Sequence, residues 1–452
     1  MNIDEALSKF KRIHFIGIGG AGMCPLAEIL HEKGYILTGS DNNESDNLKR
    51  IRSLGIPVYM GQRPENLGDS EAVVYTAALL DTNPELVAAK ASRPTFERRE
   101  LLGAVTRQFG KVVGVAGTHG KTTTSSMITQ AFMDAGRDPS AVIGGRLPSI
   151  DAHGRVGKED LLVVESCEFA RTFLDETVSV AVLLNVDRDH LDVYKTMDNL
   201  TAAFSQFVSG ATECVVYNGD DPRCVKAVEP VRSRALLSFG LDRSNNYSAD
   251  GLYRDDLGGY GFTLYVNGHE RGRVELAVPG KHNVFNALAA IAVCSYMGME
   301  LDKIVASLAE FRGADRRFQL KGEYNGAKIY DDYAHHPAEI EATLTAAKEL
   351  DFKRVIAVFQ PFTFSRTYTL LDDFARVLEI ADEVVLTPIM GSREVNTYNI
   401  HTSDLTEKIP CAKEFKSFSE VREYLAGHVG EGDLVITLGC GDVYKIGDML
   451  LA

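Results

Sequence analysis

The stretch Val112-Val113-Gly114-Val115-Ala116-Gly117-Thr118-His119-Gly120-Lys121-Thr122-Thr123 decides the fold. An apolar run predicts a buried strand, a glycine-rich turn follows it, and a Lys-Thr pair opens a helix. That order builds an anion cradle, because backbone N–H groups and the positive end of the helix face one point. Lys121 adds a mobile cation there, and the Thr122 hydroxyl suits Mg²⁺. The loop is therefore expected to hold ATP phosphates through Gly117, Thr118, His119, Gly120, Lys121, Thr122 and Thr123. The common phosphate-loop spacing would need glycine at 115, where valine stands, so this is a shorter variant. A chance Gly-Lys-Thr in an ordinary strand-to-helix turn is the competing reading; the strand before and the helix after weigh against it.

Magnesium needs more oxygen ligands than one hydroxyl. The apolar run 161–164 ends in Glu165, at the carboxyl edge of the sheet where open α/β sheets bind ligands. The next buried run, 180–184, leads into Asn185-Val186-Asp187-Arg188-Asp189-His190-Leu191-Asp192. It delivers an imidazole and several carboxylates to the same edge. A solvated loop acid at 165 and a structural histidine at 190 are the plain alternatives. Taken with the loop, Thr122, Glu165 and His190 favour a metal–phosphate site.

A second glycine loop, Gly17-Ile18-Gly19-Gly20-Ala21-Gly22, follows the strand-like run 13–16 and precedes a helix reaching 33. It fits G-x-G-x-x-G, and Asp41 comes 19 residues after Gly22, near the end of a second strand at 35–38. A diphosphate can approach such a turn, and an acid can reach a sugar or base. The pattern does not separate nicotinamide cofactors from UDP, and close packing of helix on strand is the bland alternative. Two loops in one chain argue for ATP plus a second, nucleotide-bearing substrate. A nicotinamide oxidoreductase leaves the Lys-Thr loop unexplained, and a nucleotide-switch ATPase leaves the first loop unexplained.

The chain has 452 residues, enough for about three domains. Its net charge of −15 argues against nucleic acid or an anionic membrane as partner, so bound phosphates must be neutralised locally. No run approaches the ~18 apolar residues of a membrane helix. The polar start, 1–12, lacks the core of a signal peptide, so a cytoplasmic location is expected. Seven cysteines, scattered and without C-x-x-C, read as reduced core thiols. Strand-like and helical stretches alternate, which predicts an α/β protein of three domains. These are a Rossmann-like sheet over 1–108, a central phosphate-loop ATPase sheet over 109–313 and a Rossmann-like sheet over 314–452. The central domain carries a small antiparallel β subregion at 247–279, followed by a helix of about fifteen residues with Asn283 as its N-cap. Strands are expected in the third domain at 328–330, 355–359, 383–386 and 434–437.

The segments GIGGAGM at 17–23, GTHGKTT at 117–123, DRDHLDVY at 187–194, PGKHNVFNALAA at 279–290, RRF at 316–318 and DDYAHHP at 331–337 occur in order. Together they resemble the Mur ligases over the whole chain, and within them the branch that joins L-alanine to UDP-N-acetylmuramate. His119 sets this type apart from relatives with asparagine there, and GIGGAGM favours it over the branch that reattaches recycled murein peptides. The resemblance implies that ATP phosphorylates the muramic carboxylate and that the amine of L-alanine then displaces phosphate from the acyl phosphate. It implies a catalytic set of Lys121, Glu165, His190 and Arg317, with Thr122 and Glu165 on one Mg²⁺ and His190 on a second. His282, Asn283, Asn286 and Arg317 would contact ATP, and Asp332 its ribose. Gly17, Gly19, Ala21, Gly22 and Met23 would hold the UDP diphosphate, with Ser40 and Asp41 near the uridine and Arg98 lining the sugar-nucleotide groove. His335 and Arg366 fall at the amino-acid end. The enzyme would act as a monomer or homodimer whose domains close on ATP.

Three departures from the family pattern stand out. Phe362 occupies the place of a histidine associated with the amino-acid substrate, and Cys440 that of an alanine. Glu165-Ser166-Cys167-Glu168 is less acidic than usual, and its 25-residue spacing to His190 favours Glu165 over Glu168 as the metal ligand.

Overall fold

Apolar runs buried on both faces become the strands of three mostly parallel sheets. The computed structural model describes residues 1–452 apart from 233, 256, 257 and 393 and the side chains of 191 and 192. The first sheet holds β1 (Arg12–Ile16), β2 (Ile36–Asp41), β3 (Val58–Met60), β4 (Ala72–Tyr75) and β5 (Thr95–Glu97), ordered β3-β2-β1-β4-β5 and parallel throughout. Ile13, Phe15 and Ile16 are buried, because helices cover both faces. The strand order reverses at β1, which opens a crevice at its carboxyl end, directly at Gly17.

The middle sheet holds β6 (Lys111–Ala116), β7 (Ser140–Leu147), β8 (Ala152–Arg155), β9 (Leu161–Glu165), β10 (Val180–Leu183), β11 (Cys214–Asn218) and β12 (Ala235–Gly240), in the order β12-β11-β10-β6-β9-β7-β8. The phosphate-loop strand β6 thus lies between β9, which ends in Glu165, and β10, which leads to His190. Three further strands, β13 (Tyr247–Arg254), β14 (Gly259–Val266) and β15 (His269–Pro279), continue the sheet beyond β12. Asn267 and Gly268, both at positive φ, make the tight turn between β14 and β15. The third sheet holds β16 (Gln319–Tyr324), β17 (Ala327–Asp332), β18 (Arg354–Phe359), β19 (Glu383–Leu386), β20 (Ala412–Glu414) and β21 (Asp433–Leu438), ordered β16-β17-β21-β18-β19-β20. Only β16 runs antiparallel to its neighbour there.

By contacts the chain divides into two units. One comprises Met1–Gly251, Phe262–Val274 and Phe285–Phe311; the other comprises Leu252–Gly261, Glu275–Val284 and Arg312–Ala452. The first and middle sheets share the first unit because they share a hydrophobic core that runs from Ile3 through Leu102 and Phe173 to Val231. Gly154 lies so close to Pro25 that an added Cβ would come within 2.7 Å of it. Two local expectations need correction. The second strand runs Ile36–Asp41 rather than 35–38, because Gly39, Ser40 and Asp41 pair with the short, sequence-remote β3. Asn283 is not an N-cap: the helix His282–Tyr296 starts before it, and its amide donates to the Pro279 carbonyl at 2.7 Å.

Candidate active site

After β6 the chain turns through Gly117 at φ +146° and Gly120 at φ +84°, backbone values that L side chains rarely adopt. Space forbids side chains as well. A Cβ at Gly117 would lie 2.9 Å from Leu184 Cβ, and one at Gly120 would lie 2.4 Å from Asn286 Oδ1. The helix Lys121–Asp134 begins directly after Gly120, so the N–H groups of its first turn point into the mouth of the loop. The segment after β10 braces the loop. Thr118 N–H donates to Asn185 O at 3.1 Å, His119 N–H donates to Asn185 Oδ1 at 2.8 Å, and Asn185 Nδ2 donates to His119 O at 3.0 Å. Thr118 Oγ1 accepts the Asp187 N–H at 2.9 Å, and the His119 ring stands 3.6 Å from the Asp187 carboxylate.

Lys121 folds back over its own loop. Its Nζ donates to Gly117 O at 2.5 Å, Thr118 O at 3.0 Å and Glu168 Oε1 at 3.1 Å, and lies 2.9 Å from Glu168 Oε2. Burial opposes its charge, but Glu168, Cys167 and Glu165 outweigh burial and hold its pKa above the ordinary lysine value. The lysine is therefore a fixed cation at neutral pH. Thr122 Oγ1 donates to Glu165 Oε2 at 2.9 Å, and the same oxygen accepts Gly144 N–H at 2.7 Å. His190 Nε2 lies 3.8 Å from Glu168 Oε1 and 3.5 Å from Asp189 Oδ2, with its ring edge-on to Phe169 at 5.0 Å. Among the described residues no group of three or more His, Cys, Asp and Glu side chains is gathered as a metal cage. A hydroxyl and two carboxylates are nonetheless the hard oxygen donors that suit Mg²⁺, which keeps several waters and takes phosphate oxygens. On donor chemistry the residues present fit that ion.

The first glycine loop is equally constrained. A Cβ at Gly17 (φ +82°) would lie 2.6 Å from Thr76, and one at Gly22 would lie 3.1 Å from Arg98 Nη1. Gly17 and Ile18 N–H both donate to Ser40 O, at 2.8 and 3.1 Å. Asp41 accepts the N–H groups of Gly19, Asn42 and Asn43 at 3.0, 2.8 and 3.1 Å, and so fixes the loop it was expected to accompany. Ala21 and Met23 complete the turn into the helix Cys24–Glu32. The Ser40 side chain is fully buried and donates to Glu85 at 2.7 Å. Buried Glu176 accepts a hydrogen bond from the Ser166 hydroxyl, just beyond β9. Burial pushes its carboxyl up to about 8, the Ser166 hydroxyl pulls it down, Arg98 beside the first loop lowers it and Glu165 beside the second raises it.

The second unit carries its own cluster. Arg316 Nε donates to Asp331 at 2.9 Å and its Nη2 to Gly439 O at 2.6 Å, with the guanidinium over Tyr333 and Tyr444. Arg317 also lies over Tyr333, 5.2 Å from the ring centroid. Asp332 accepts Phe318 N–H and Ala334 N–H, both at 2.7 Å; burial pushes its carboxyl up to about 6, against the pull of Arg317. His335 Nδ1 lies 3.1 Å from Tyr333 O and 3.2 Å from Glu339, and its ring meets Phe362 edge-on at 6.5 Å. Arg366, on the helix Phe364–Thr369, counters the burial that pushes the Cys440 thiol up to about 12. His282 packs on Gly280 within the same unit.

Comparison with known proteins places this geometry. Residues 12–110 match the description "Mur ligase family, catalytic domain", residues 115–294 "Mur ligase middle domain" and residues 316–441 "Mur ligase, glutamate ligase domain". The chain is a Mur ligase. It is 43% identical to a UDP-N-acetylmuramate–L-alanine ligase of Agathobacter rectalis, over 98% of each chain. It is 41% identical to the ligase of that name from Caldanaerobacter subterraneus subsp. tengcongensis, over 100% of this chain and 99% of the relative. The solved structure of UDP-N-acetylmuramate-alanine ligase MurC from Thermotoga maritima matches with TM-score 0.82 and 27% identity, covering 97% of this chain and 98% of that one.

In this Mur ligase the structure gathers Gly117 to Thr123, Glu165, His190 and Asn286 around one loop, and Thr124 Oγ1 lies 3.3 Å from Asn286 Oδ1. Spacing favours Glu165 as the metal ligand, and the structure places Glu165 on Thr122 and Glu168 on Lys121. Glu168 is 2% exposed and is the carboxylate that meets both Lys121 and His190. After it the chain bends through Ala170 and Arg171, at φ +51° and +59°. Such left-handed turns in ordinary residues leave no sequence sign. Arg316 was missed for a similar reason: RRF marks two arginines, and only the packing shows that the first is spent on Asp331 and Gly439.

Proposed function

We propose that this Mur ligase joins L-alanine to the carboxylate of UDP-N-acetylmuramate at the expense of ATP, through an acyl phosphate. The observation that carries the reading is the Lys121 cluster: a charged lysine, held by its own loop and by Glu168, beside a helix N-terminus and within reach of His190. Attack of a carboxylate on a phosphoryl group crowds negative charges, so a preplaced cation and backbone N–H groups lower the barrier most. Full-length relatives that bear this ligase name at about 40% identity support the substrate pair.

In this scheme Lys121 and the first-turn N–H groups hold the transferring phosphoryl group. Thr122, Glu165, Glu168 and His190 would hold Mg²⁺, which supplies charge neutralisation between phosphate and carboxylate oxygens when bound. Gly17, Gly19, Ala21, Gly22 and Met23 accept the UDP diphosphate with Arg98 alongside. Asn286 fixes Gly120 from behind; Arg317 and Asp332, with His282 and Asn283, face ATP, and His335 and Arg366 serve the amino acid. We assign one domain to each sheet, 1–108, 109–313 and 314–452, and place the enzyme in the cytoplasm as a monomer or homodimer. No helix among the described residues is long and apolar enough to cross a membrane.

The deciding experiment follows ADP release from purified protein with Mg²⁺ and ATP. It should require UDP-N-acetylmuramate and L-alanine together. Turnover indifferent to both would reject the reading, and a requirement for a murein peptide in place of L-alanine would move the chain to the recycling branch.

A further inference from the structure

Beneath the first glycine loop lies a chain of four polar side chains that the ligation chemistry does not use. His14 on β1, Ser40 on β2 and Glu85 on the helix Pro84–Ser92 are each 0% exposed. His14 Nε2 lies 2.9 Å from Glu85 Oε1, Ser40 Oγ donates to Glu85 Oε2 at 2.7 Å, and His14 Nδ1 lies 2.7 Å from Thr38 Oγ1. Burying an acid and an imidazole is costly unless every polar atom is paired, and replacing buried ionic groups by apolar residues of similar volume is often neutral or stabilising. The network resembles a hydrolytic triad in composition only. The Ser40 hydroxyl points to the acid rather than to the imidazole and is closed to solvent, so it is no nucleophile.

Its position gives it a use. Ser40 is the residue whose carbonyl accepts both Gly17 N–H and Ile18 N–H, so the network ends on the hinge of the glycine turn. Glu85 enters from a helix capped by Asn83, whose Nδ2 donates to Gln62 Oε1 at 2.7 Å; Asn42 Nδ2 donates to that same oxygen at 3.0 Å. Asn42 in turn follows Asp41, which holds Gly19 N–H. The start of the loop, Gly17 to Gly19, is therefore tied to one buried carboxylate, directly through Ser40 and more remotely through Asp41, Asn42, Gln62 and Asn83. We propose that Glu85 is a positioning residue for the sugar-nucleotide site: through Ser40 and His14 it fixes the ends of β1 and β2 so that the turn 17–22 presents its N–H groups to a nucleoside diphosphate. The proposal rests on the assignment of UDP-N-acetylmuramate to this loop.

The test separates positioning from mere stability. Glu85→Ala, which strands Ser40 and His14, should raise the KM for UDP-N-acetylmuramate about tenfold, while the KM for ATP and kcat stay within about twofold. Glu85→Gln can pair both neighbours once the His14 tautomer changes, and should restore the KM to near the wild-type value. Thermal melting reports whether each variant is folded. If Glu85→Ala fails to fold, Ser40→Ala, which removes a single hydroxyl, should still raise the same KM about threefold. Folded variants whose KM for UDP-N-acetylmuramate is unchanged, or moves together with that for ATP, overturn the proposal. If wild-type protein fails to bind UDP-N-acetylmuramate, the substrate assignment itself has failed, an outcome distinct from a network without effect.

Discussion

Single residues divide into those that meet the reacting groups and those that hold them. In the proposed reaction Lys121 would be of the first kind, and in the structure four oxygens surround its ammonium. Lys121→Ala should lower ligation by about a hundredfold or more with the fold retained. Binding of UDP-N-acetylmuramate, measured by calorimetry, should survive, because the first loop has its own supports. Loss of both activities would show that the two loops do not work as separate sites. Glu168 and Glu165 make a sharper comparison. Glu168 touches Lys121 and His190, whereas Glu165 bonds Thr122 and Gly144. Glu168→Gln should therefore cost more in kcat than Glu165→Gln, by about tenfold, with a raised Mg²⁺ requirement. The reverse order would favour Glu165, the choice that spacing suggests.

Elements depend on a few strained or buried positions. Gly120 joins β6 to the helix Lys121–Asp134 at φ +84°, with Asn286 against it. Gly120→Ala combines an unfavourable backbone with a clash and should destabilise the protein by about 1–3 kcal/mol in urea unfolding, besides abolishing nucleotide binding. Glu176 sits at the end of the segment Phe169–Asp175 and bonds Ser166 just beyond β9. Burial raises its carboxyl from 4.5 to about 8. Over that window the folded chain keeps a proton that the unfolded chain has lost, so the contribution to stability falls as pH rises. Glu176→Gln carries no such proton, and its urea midpoint should change less between pH 5 and pH 8 than that of the wild type. Equal declines in both proteins would mean that the carboxyl is ionised when folded.

At the scale of the whole molecule, the proposed reaction would use two nucleotide loops, and ADP release dependent on both acceptor and amino acid is the property to measure. Phe362, whose ring meets that of His335, stands where the amino acid is proposed to bind, so specificity needs direct assay with L-alanine, glycine and L-serine. L-alanine should give the highest kcat/KM; equal turnover of all three would detach His335 and Arg366 from amino-acid selection. Much of this was legible in the sequence. Glycines 17, 117 and 120 are required by local backbone geometry, and the runs 112–116, 161–164 and 180–184 are buried on both faces, so their pattern is continuous and easily read. The family motifs and the order of the sheets follow from the same local signals. The tertiary structure alone decided that β3 extends β2 to Asp41, that Ser40 turns inward to Glu85, that Glu168 pairs with Lys121 and that Arg316 is committed to Asp331. Each of these joins residues distant in sequence. Such pairings are chosen by burial and hydrogen bonding between whole elements, and no local pattern encodes them.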